Sequence, residues 1–168
     1  MRTESQDPTA LRGTTVLLAE DDDDSRELLA FALETYGASV VSAASAREAM
    51  TCLDTVVPNV LVTDISMPGE DGYWLLAEIR RTFDIRGMHI PAVACTALAR
   101  EHTRAIVLAA GFEGYVTKPV DPLALCAAVT HAMARPAPAR VISSSEPPGA
   151  EPRCDRPASC PRSSPSTP

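Results

Sequence analysis

Four short apolar runs in this sequence each end in a side chain that could take part in chemistry. The run 60–63 leads into Asp64, and the other three lead into the pair Glu20-Asp21, into Thr96 and into Lys118. The carboxyl ends of parallel strands lie side by side at one edge of an open sheet. We therefore expect three carboxylates, a hydroxyl group and an ammonium group to converge at one point.

Three neighbouring acids at such an edge predict a metal site. The carboxylates of Glu20, Asp21 and Asp64 would repel one another strongly in a partly desolvated crevice unless a cation lay among them. Oxygen ligands alone suit Mg²⁺, which keeps several waters and is usually completed by phosphate oxygens. The acids at 22–24 are instead typical of a solvated loop that caps the next helix.

A phosphoryl group at that ion would also give the remaining side chains a role. An aspartate carboxylate can act as a nucleophile and form an acyl phosphate, and Asp64 is the candidate. Thr96 could donate its hydroxyl to one phosphoryl oxygen, and Lys118 could bring a positive charge to another. Taken singly, Thr96 is also typical of a helix cap and Lys118 of a lysine before a turn. Their shared position at strand ends favours the phosphoryl site.

Strand and helix patterns alternate between about residues 14 and 135, which predicts an α/β domain with a parallel sheet. Five strand–helix units with right-handed crossovers allow a doubly wound, flavodoxin-like sheet of order 2-1-3-4-5. Its switch point lies between the first and third strands, which carry Glu20-Asp21 and Asp64. The helices are predicted at 25–36, 45–53, 72–81 and 100–110, with a last one from Asp121-Pro122.

Details of the helix patterns give further expectations. In the first helix, Asp24 and Glu27 suit capping, and the apolar face is expected to include Leu28. Ser45 and Glu48 form a predicted capping box for the second. In the third helix, four residues are available for packing, namely Trp74, Leu75, Ala77 and Ile79.

Composition limits the classes of function. The chain has 168 residues, 45% of them hydrophobic, which is enough for one sizeable core. Its formal net charge of −7 argues against nucleic acid as a direct ligand. Neither a secretory segment nor an apolar run of the ~18 residues that span a bilayer is evident, so a cytoplasmic location without membrane contact is predicted.

Both ends of the sequence differ from the middle. Residues 1–13 form a polar lead-in, and 136–168 carry nine of the 15 prolines with many serines. Such a tail cannot bury enough surface to fold and is predicted to be disordered, as a solvated extension or a proline-rich docking peptide. Cys154 and Cys160 lie there and supply too few ligands for a metal site. Cys52, Cys95 and Cys126 are expected to act as small buried hydrophobes.

Taken together, these residues resemble the receiver domain of two-component response regulators over about 14–134. The resemblance rests on a combination of short motifs that is specific as a set. The motifs are Val-Leu-Leu-Ala-Glu20-Asp21-Asp22, Thr63-Asp64-Ile65-Ser66-Met67-Pro68-Gly69-Glu70-Asp71-Gly72, Ala94-Cys95-Thr96-Ala97 and Gly114-Tyr115-Val116-Thr117-Lys118-Pro119.

The resemblance implies a role for each matching residue. Asp64 would be the phosphoacceptor, Lys118 the phosphate-contacting lysine, and Thr96 and Tyr115 the switch residues. Glu20 and Asp21 would form the acidic pair. Mg²⁺ would be held by Asp21, Asp64 and the backbone carbonyl of Ser66, and the bond before Pro119 would be cis.

The implied function is a signalling switch. A histidine kinase or phosphotransfer protein would phosphorylate Asp64, and a downstream target would bind the face made by helix 4, strand 5 and helix 5. Apart from its own phosphoryl transfer and slow autodephosphorylation, the domain would not be an enzyme. Ser66 and Leu98 are the residues expected to flank the attacking water. Whether the domain stands alone or derives from a hybrid kinase stays open.

Three alternatives differ from this interpretation. A receiver-like interaction module would act without phosphorylation, although the complete residue set argues against it. A flavodoxin-like cofactor binder would need a first loop that cradles phosphate, which five consecutive acids would repel. An aspartyl phosphatase would need a second aspartate two residues after Asp64, where Ser66 stands.

Overall fold

Five short apolar segments form the parallel strands of a single sheet. The computed structural model describes residues 7–83, 87–97 and 103–135. The strand order is β2-β1-β3-β4-β5, which confirms the doubly wound topology predicted from sequence. The strands are β1 (Thr15–Ala19), β2 (Ser39–Ala43), β3 (Val60–Asp64), β4 (Ala92–Thr96) and β5 (Gly114–Thr117).

A helix follows each strand, and the helices cover both faces of the sheet. They are α1 (Asp23–Thr35), α2 (Ala46–Cys52), α3 (Gly72–Phe83), α4 (Arg104–Ala109) and α5 (Pro122–Ala134). Alternate residues of β1 point to opposite faces, so Val16 and Leu18 pack with α1 and α5. Leu17 and Ala19 pack with α2, α3 and α4. The central strands β3 and β4 are buried along their whole length, as parallel strands covered on both faces must be.

The helix caps explain where most helices begin. The Ser45 side chain accepts from the Glu48 amide at 3.1 Å, and Glu48 in turn accepts from the Ala44 amide at 2.7 Å. Asp121 caps α5, which has Pro122 in its first turn, as predicted. At α1 the cap is one of the three acids 22–24 that were predicted to cap it, but it is Asp22 rather than Asp24. Asp22 holds the Ser25 amide at 2.8 Å, whereas Asp24 already belongs to the first helical turn.

Three further expectations about the helices are wrong in detail. α4 begins at Arg104 rather than at residue 100, because Thr103 has extended backbone and caps the helix with its side chain. Leu28 is 59% exposed and does not belong to the packed face of α1. Ala77 is likewise exposed on α3, where Leu76 and Phe83 are buried beside the predicted Leu75 and Ile79.

Several other expectations can be compared with the described residues. The bond between Lys118 and Pro119 is cis, as the resemblance implied. Cys95 and Cys126 are buried free thiols, and burial raises the pKa of the Cys95 thiol to about 12, so that it stays uncharged.

Within the described ranges, no helix has the length and apolar character needed to cross a bilayer. The tail 136–168 and Leu98 lie outside the described residues.

Candidate functional site

The register of the sheet brings the predicted site residues to one edge. Ala19 of β1 pairs with Thr63 of β3, so Glu20 and Asp64 follow in adjacent positions. Asp64 in turn pairs with Cys95 of β4, and Thr96 is the next residue. Thr96 pairs with Thr117 of β5, which precedes Lys118. Four strand ends that are far apart in sequence thus finish at the same level of the sheet.

Lys118 bridges the two buried acids of the site. Its Nζ lies 2.8 Å from Glu20 Oε1 and 2.8 Å from Asp64 Oδ2. The lysine side chain is 25% exposed, whereas the Glu20 and Asp64 side chains are 1% and 8% exposed. Burial alone would lower the pKa of Lys118, but the hydrogen bonds that it donates to Asp64 and Glu20 outweigh burial and raise the pKa. The lysine is therefore held as a cation between the two carboxylates.

One carboxylate oxygen of the site has no partner. Among the described residues, Glu20 Oε2 is the single buried side-chain oxygen or nitrogen without a hydrogen bond. Burial raises the pKa of the Glu20 carboxyl above its ordinary value, although the hydrogen bond from Lys118 opposes the shift. An unsatisfied buried carboxylate oxygen is costly, and a cation would satisfy it.

The donor set suits a hard divalent cation. Glu20, Asp21 and Asp64 each offer a carboxylate oxygen, and these oxygens all lie within 4.8 Å of one another. Carboxylate oxygens of this kind, including the unpartnered Oε2 of Glu20, are the ligands that Mg²⁺ prefers. The acidic cluster predicted from the sequence is therefore formed, and it could bind a metal ion.

The loop after β3 holds Asp64 in place through backbone contacts. The Ser66 amide donates to Asp64 Oδ1 at 3.2 Å, and the Thr63 hydroxyl donates to the Asp64 carbonyl at 2.8 Å. The Gly72 amide, at the start of α3, donates to the Ile65 carbonyl at 3.1 Å. Sequence reasoning included Gly72 in a motif but did not identify its structural role. A Cβ atom at Gly72 would lie 2.4 Å from the Asp64 carbonyl oxygen, so this position has no room for a larger residue.

We expect Gly72→Ala to destabilise the protein by about 2–3 kcal/mol, because backbone atoms of the Asp64 loop must move to admit the methyl group. Urea unfolding measures this change. Gly13→Ala is the control, since Gly13 has a φ of 77° but nothing within 4 Å of an added Cβ. It should cost only the left-handed strain of about 1–2 kcal/mol. A Gly72→Ala protein as stable as the wild type would show that the close approach is unimportant.

Thr96 lies in β4 and Tyr115 in β5, and neither takes part in the hydrogen bonds described above for the three acids. Thr96 is fully buried and donates its hydroxyl to the Ala97 carbonyl at 3.0 Å. Tyr115 is half-buried in β5 and packs against the core layer on the α2, α3 and α4 side. Arg26, which sequence reasoning missed, donates from Nη1 to the Glu20 carbonyl at 2.9 Å and ties α1 to the site. The sequence gives one indication of this contact, which is that Arg26 lies six residues after Glu20 and near the start of α1.

The chain is similar to known proteins in both sequence and structure. The family model of the response regulator receiver domain matches residues 16–130. An uncharacterized 14.6 kDa protein from the sodA1 3′ region of Leptolyngbya boryana is 46% identical over 110 residues, which are 66% of this chain and 82% of that protein. The probable transcriptional regulator ycf27 of Cyanophora paradoxa is 34% identical over 120 residues, which are 71% of this chain and 48% of that protein.

A solved structure agrees with these sequence matches. The receiver domain of the Francisella response regulator 1452 superposes with a TM-score of 0.63 at 26% identity, over 72% of this chain and 97% of that one. The chain spans about half the length of the transcriptional regulators it matches, for example 48% of the Cyanophora protein.

Proposed function

This chain belongs to the response regulator receiver domain family, and from that premise we propose that it is a phosphorylation-dependent switch with Asp64 as its phosphoacceptor. The observation that carries the proposal is the position of Asp64, whose carboxylate lies beside Lys118 and within 4.8 Å of the carboxylates of Glu20 and Asp21. We assign the receiver to residues 14–135, preceded by a lead-in and followed by the proline-rich tail.

The proposed reaction is the transfer of a phosphoryl group from a phosphohistidine. An Asp64 carboxylate oxygen attacks phosphorus, the P–N bond breaks, and the imidazole of the donor leaves. A histidine kinase or phosphotransfer protein would supply this donor. When bound, Mg²⁺ neutralises charge on the phosphoryl oxygens, and its ligands would be the Asp21 and Asp64 carboxylates, the Ser66 backbone carbonyl and, through its free Oε2, Glu20.

Lys118 and Thr96 would respond to the new group. Lys118 Nζ now bridges Asp64 and Glu20 and would contact a phosphoryl oxygen of the acyl phosphate. Thr96 would rotate its hydroxyl from the Ala97 carbonyl towards another phosphoryl oxygen. The space it leaves would let Tyr115 turn inward, which changes the face formed by α4, β5 and α5.

These contacts alone are too weak to complete the switch. Moving a protein from 1:99 to 99:1 between two states takes about 5.5 kcal/mol. One hydrogen bond to a charged group contributes about 1.5–3 kcal/mol. A downstream partner that binds the active face would supply the remainder.

Incubation with acetyl phosphate tests the proposal without a cognate kinase. Intact-mass spectrometry should show one added phosphoryl group in Mg²⁺ and none in EDTA. An unmodified protein under both conditions would favour the alternative, a receiver-like interaction module that acts without phosphorylation.

The proposed metal ligands give a separate prediction. We expect Asp21→Ala to weaken Mg²⁺ binding at least about tenfold, because it removes a direct anionic ligand. Asp24→Ala removes the same charge from the exposed first turn of α1 and should change the affinity less than about twofold. Lys118 is the only lysine in the sequence, so protein labelled with ¹³C at the lysine ε-carbon gives one NMR signal that reports the titration. Equal losses of affinity in the two variants would contradict the ligand assignment.

A further inference from the structure

A second site of interest is a shallow groove on the face formed by α4, β5 and α5. We call it the basic groove and define it by Arg104, Tyr115, His131 and Arg135, which line a cavity of about 170 Å³. The two arginines and the histidine are exposed, and Tyr115 is half-buried. Leu108 adds an apolar patch to its wall.

The described acids near the groove are engaged with other partners. Between Arg104 and Arg135 the sequence has two acidic residues, Glu113 and Asp121. Glu113 also lines the groove, but its carboxylate binds Arg80 at 3.0 Å, His89 at 2.9 Å and the Ala92 amide at 2.7 Å. Arg135 donates to the Glu113 backbone carbonyl at 3.4 Å. Within the described ranges, neither groove arginine forms an ion pair.

Asp121 is also engaged elsewhere. Its carboxylate caps the first turn of α5 by accepting from the Ala124 amide at 2.9 Å, whereas His131 and Arg135 belong to the other end of that helix. Over the part of the chain that the structure describes, a protein with a net charge of −7 thus presents two arginines without an ion-pair partner on one face. Such a cluster attracts an anionic partner and repels a cationic one.

We propose that the basic groove binds an acidic segment of a partner protein, with a carboxylate between Arg104 and Arg135 and an apolar side chain against Leu108. This inference rests on the proposed function, because it names the kind of partner that would bind the face changed by phosphorylation. Arginine binds carboxylates through paired, charge-assisted hydrogen bonds, which gives both affinity and orientation.

Two other occupants fit the groove less well. A second copy of this chain that docked through the same face would bring Arg104 and Arg135 against the same cations, which is unfavourable. Nucleic acid would contact a far larger surface than two arginines and a cavity of about 170 Å³ provide, and the net charge of −7 would repel it.

Tyr115 connects the groove to the phosphorylation site. It lines the cavity from β5, the strand whose end is followed by Lys118. Rotation of Tyr115 on phosphorylation would change the shape of the groove and therefore its affinity for the acidic segment. By linkage, binding of the acidic segment would shift the equilibrium between the unphosphorylated and phosphorylated protein by the factor by which phosphorylation changes the affinity for the segment.

The test uses a fluorescein-labelled peptide of alternating Glu and Leu, with fluorescence anisotropy as the readout. Binding is measured first to the full chain carrying Asp64→Asn, so that the groove is examined without phosphorylation. We expect Arg104→Glu and Arg135→Glu each to weaken binding about tenfold. Arg81→Glu makes the same change in net charge at an exposed site on α3 and should weaken it less than about twofold.

Three controls complete the experiment. The same peptide with Gln in place of Glu should not bind, and a single-stranded DNA of equal charge should bind more weakly than the acidic peptide. Sedimentation should show a monomer whose state does not depend on Arg104. Equal weakening by Arg81→Glu, tighter binding of DNA, or a dimer lost in Arg104→Glu would each overturn the proposal.

The outcome separates this inference from the proposed function. Binding that depends on Arg104 and Arg135 in the Asp64→Asn chain supports the groove even if wild-type Asp64 accepts no phosphoryl group. Phosphorylation of Asp64 without any such binding would leave the switch standing and refute the acidic partner.

Discussion

Asp64→Asn is expected to abolish phosphoryl labelling by acetyl phosphate, whatever the Mg²⁺ concentration. Asparagine has nearly the shape of aspartate, so the amide should still accept the hydrogen bond from the Ser66 amide. It lacks the anionic oxygen that attacks phosphorus, and no acyl phosphate can form. Intact-mass spectrometry should therefore show full labelling of the wild type and none of the variant.

Asp54→Asn is the matched control for this loss, because Asp54 is an exposed acid in the turn before β3. It should be labelled at the wild-type rate. Borohydride reduction before proteolysis would convert an aspartyl phosphate to homoserine and locate the modified residue. Equal labelling of wild type and Asp64→Asn, or homoserine at another aspartate, would disprove the assignment.

The sequence predicted that these residues lie close together because the signal is local. Glu20, Asp64 and Thr96 each lie at the end of a run of buried residues, and Lys118 follows the mostly half-buried strand β5. Parallel strands in a doubly wound sheet must end at one edge. Strand order and strand ends together are enough to bring these residues near one another. No knowledge of side-chain conformation is needed for that step.

The contacts that decide the chemistry could not be predicted in this way. Lys118 and Glu20 are 98 positions apart, and whether the ammonium group reaches one acid or both depends on rotamers. The free Glu20 Oε2 follows from that arrangement. The close approach of Gly72 to the Asp64 carbonyl depends on the path of a loop, for which periodicity carries no information.

The errors in the helices have a common physical origin. Leu28 fits the helical repeat of α1 but is exposed. The repeat identifies the apolar side of a helix, but it does not tell which residues at the border of that side the sheet will cover. At α4, residues 100–103 are all polar, so no apolar repeat locates the helix start. The start is set by the Thr103 side chain, which accepts from the Ile106 amide at 3.5 Å. Local capping thus decides where this helix begins.

Lys118→Ala is expected to cause a large loss of stability in EDTA. The substitution leaves the Glu20 and Asp64 carboxylates buried without their shared cation. Breaking a buried ion pair by removing one partner costs about 3–5 kcal/mol. Lys118 is a quarter exposed, so water recovers part of this, and we expect a loss of about 2–4 kcal/mol in urea unfolding. Arg81→Ala, which removes an exposed ion pair with Glu78, should leave the midpoint of urea unfolding nearly unchanged.

Mg²⁺ should restore much of the stability that Lys118→Ala loses. A cation that binds only the folded protein stabilises it in proportion to the logarithm of the ratio of its concentration to its Kd. In the variant no ammonium group neutralises the carboxylates, so Mg²⁺ should bind more tightly and raise the free energy of unfolding by more than it does in the wild type. Adding Glu20→Gln to Lys118→Ala should also recover stability, because it removes one of the two stranded charges. If Lys118→Ala were as stable as the wild type in EDTA and gained no more from Mg²⁺, the lysine would not be the cation that holds these acids together.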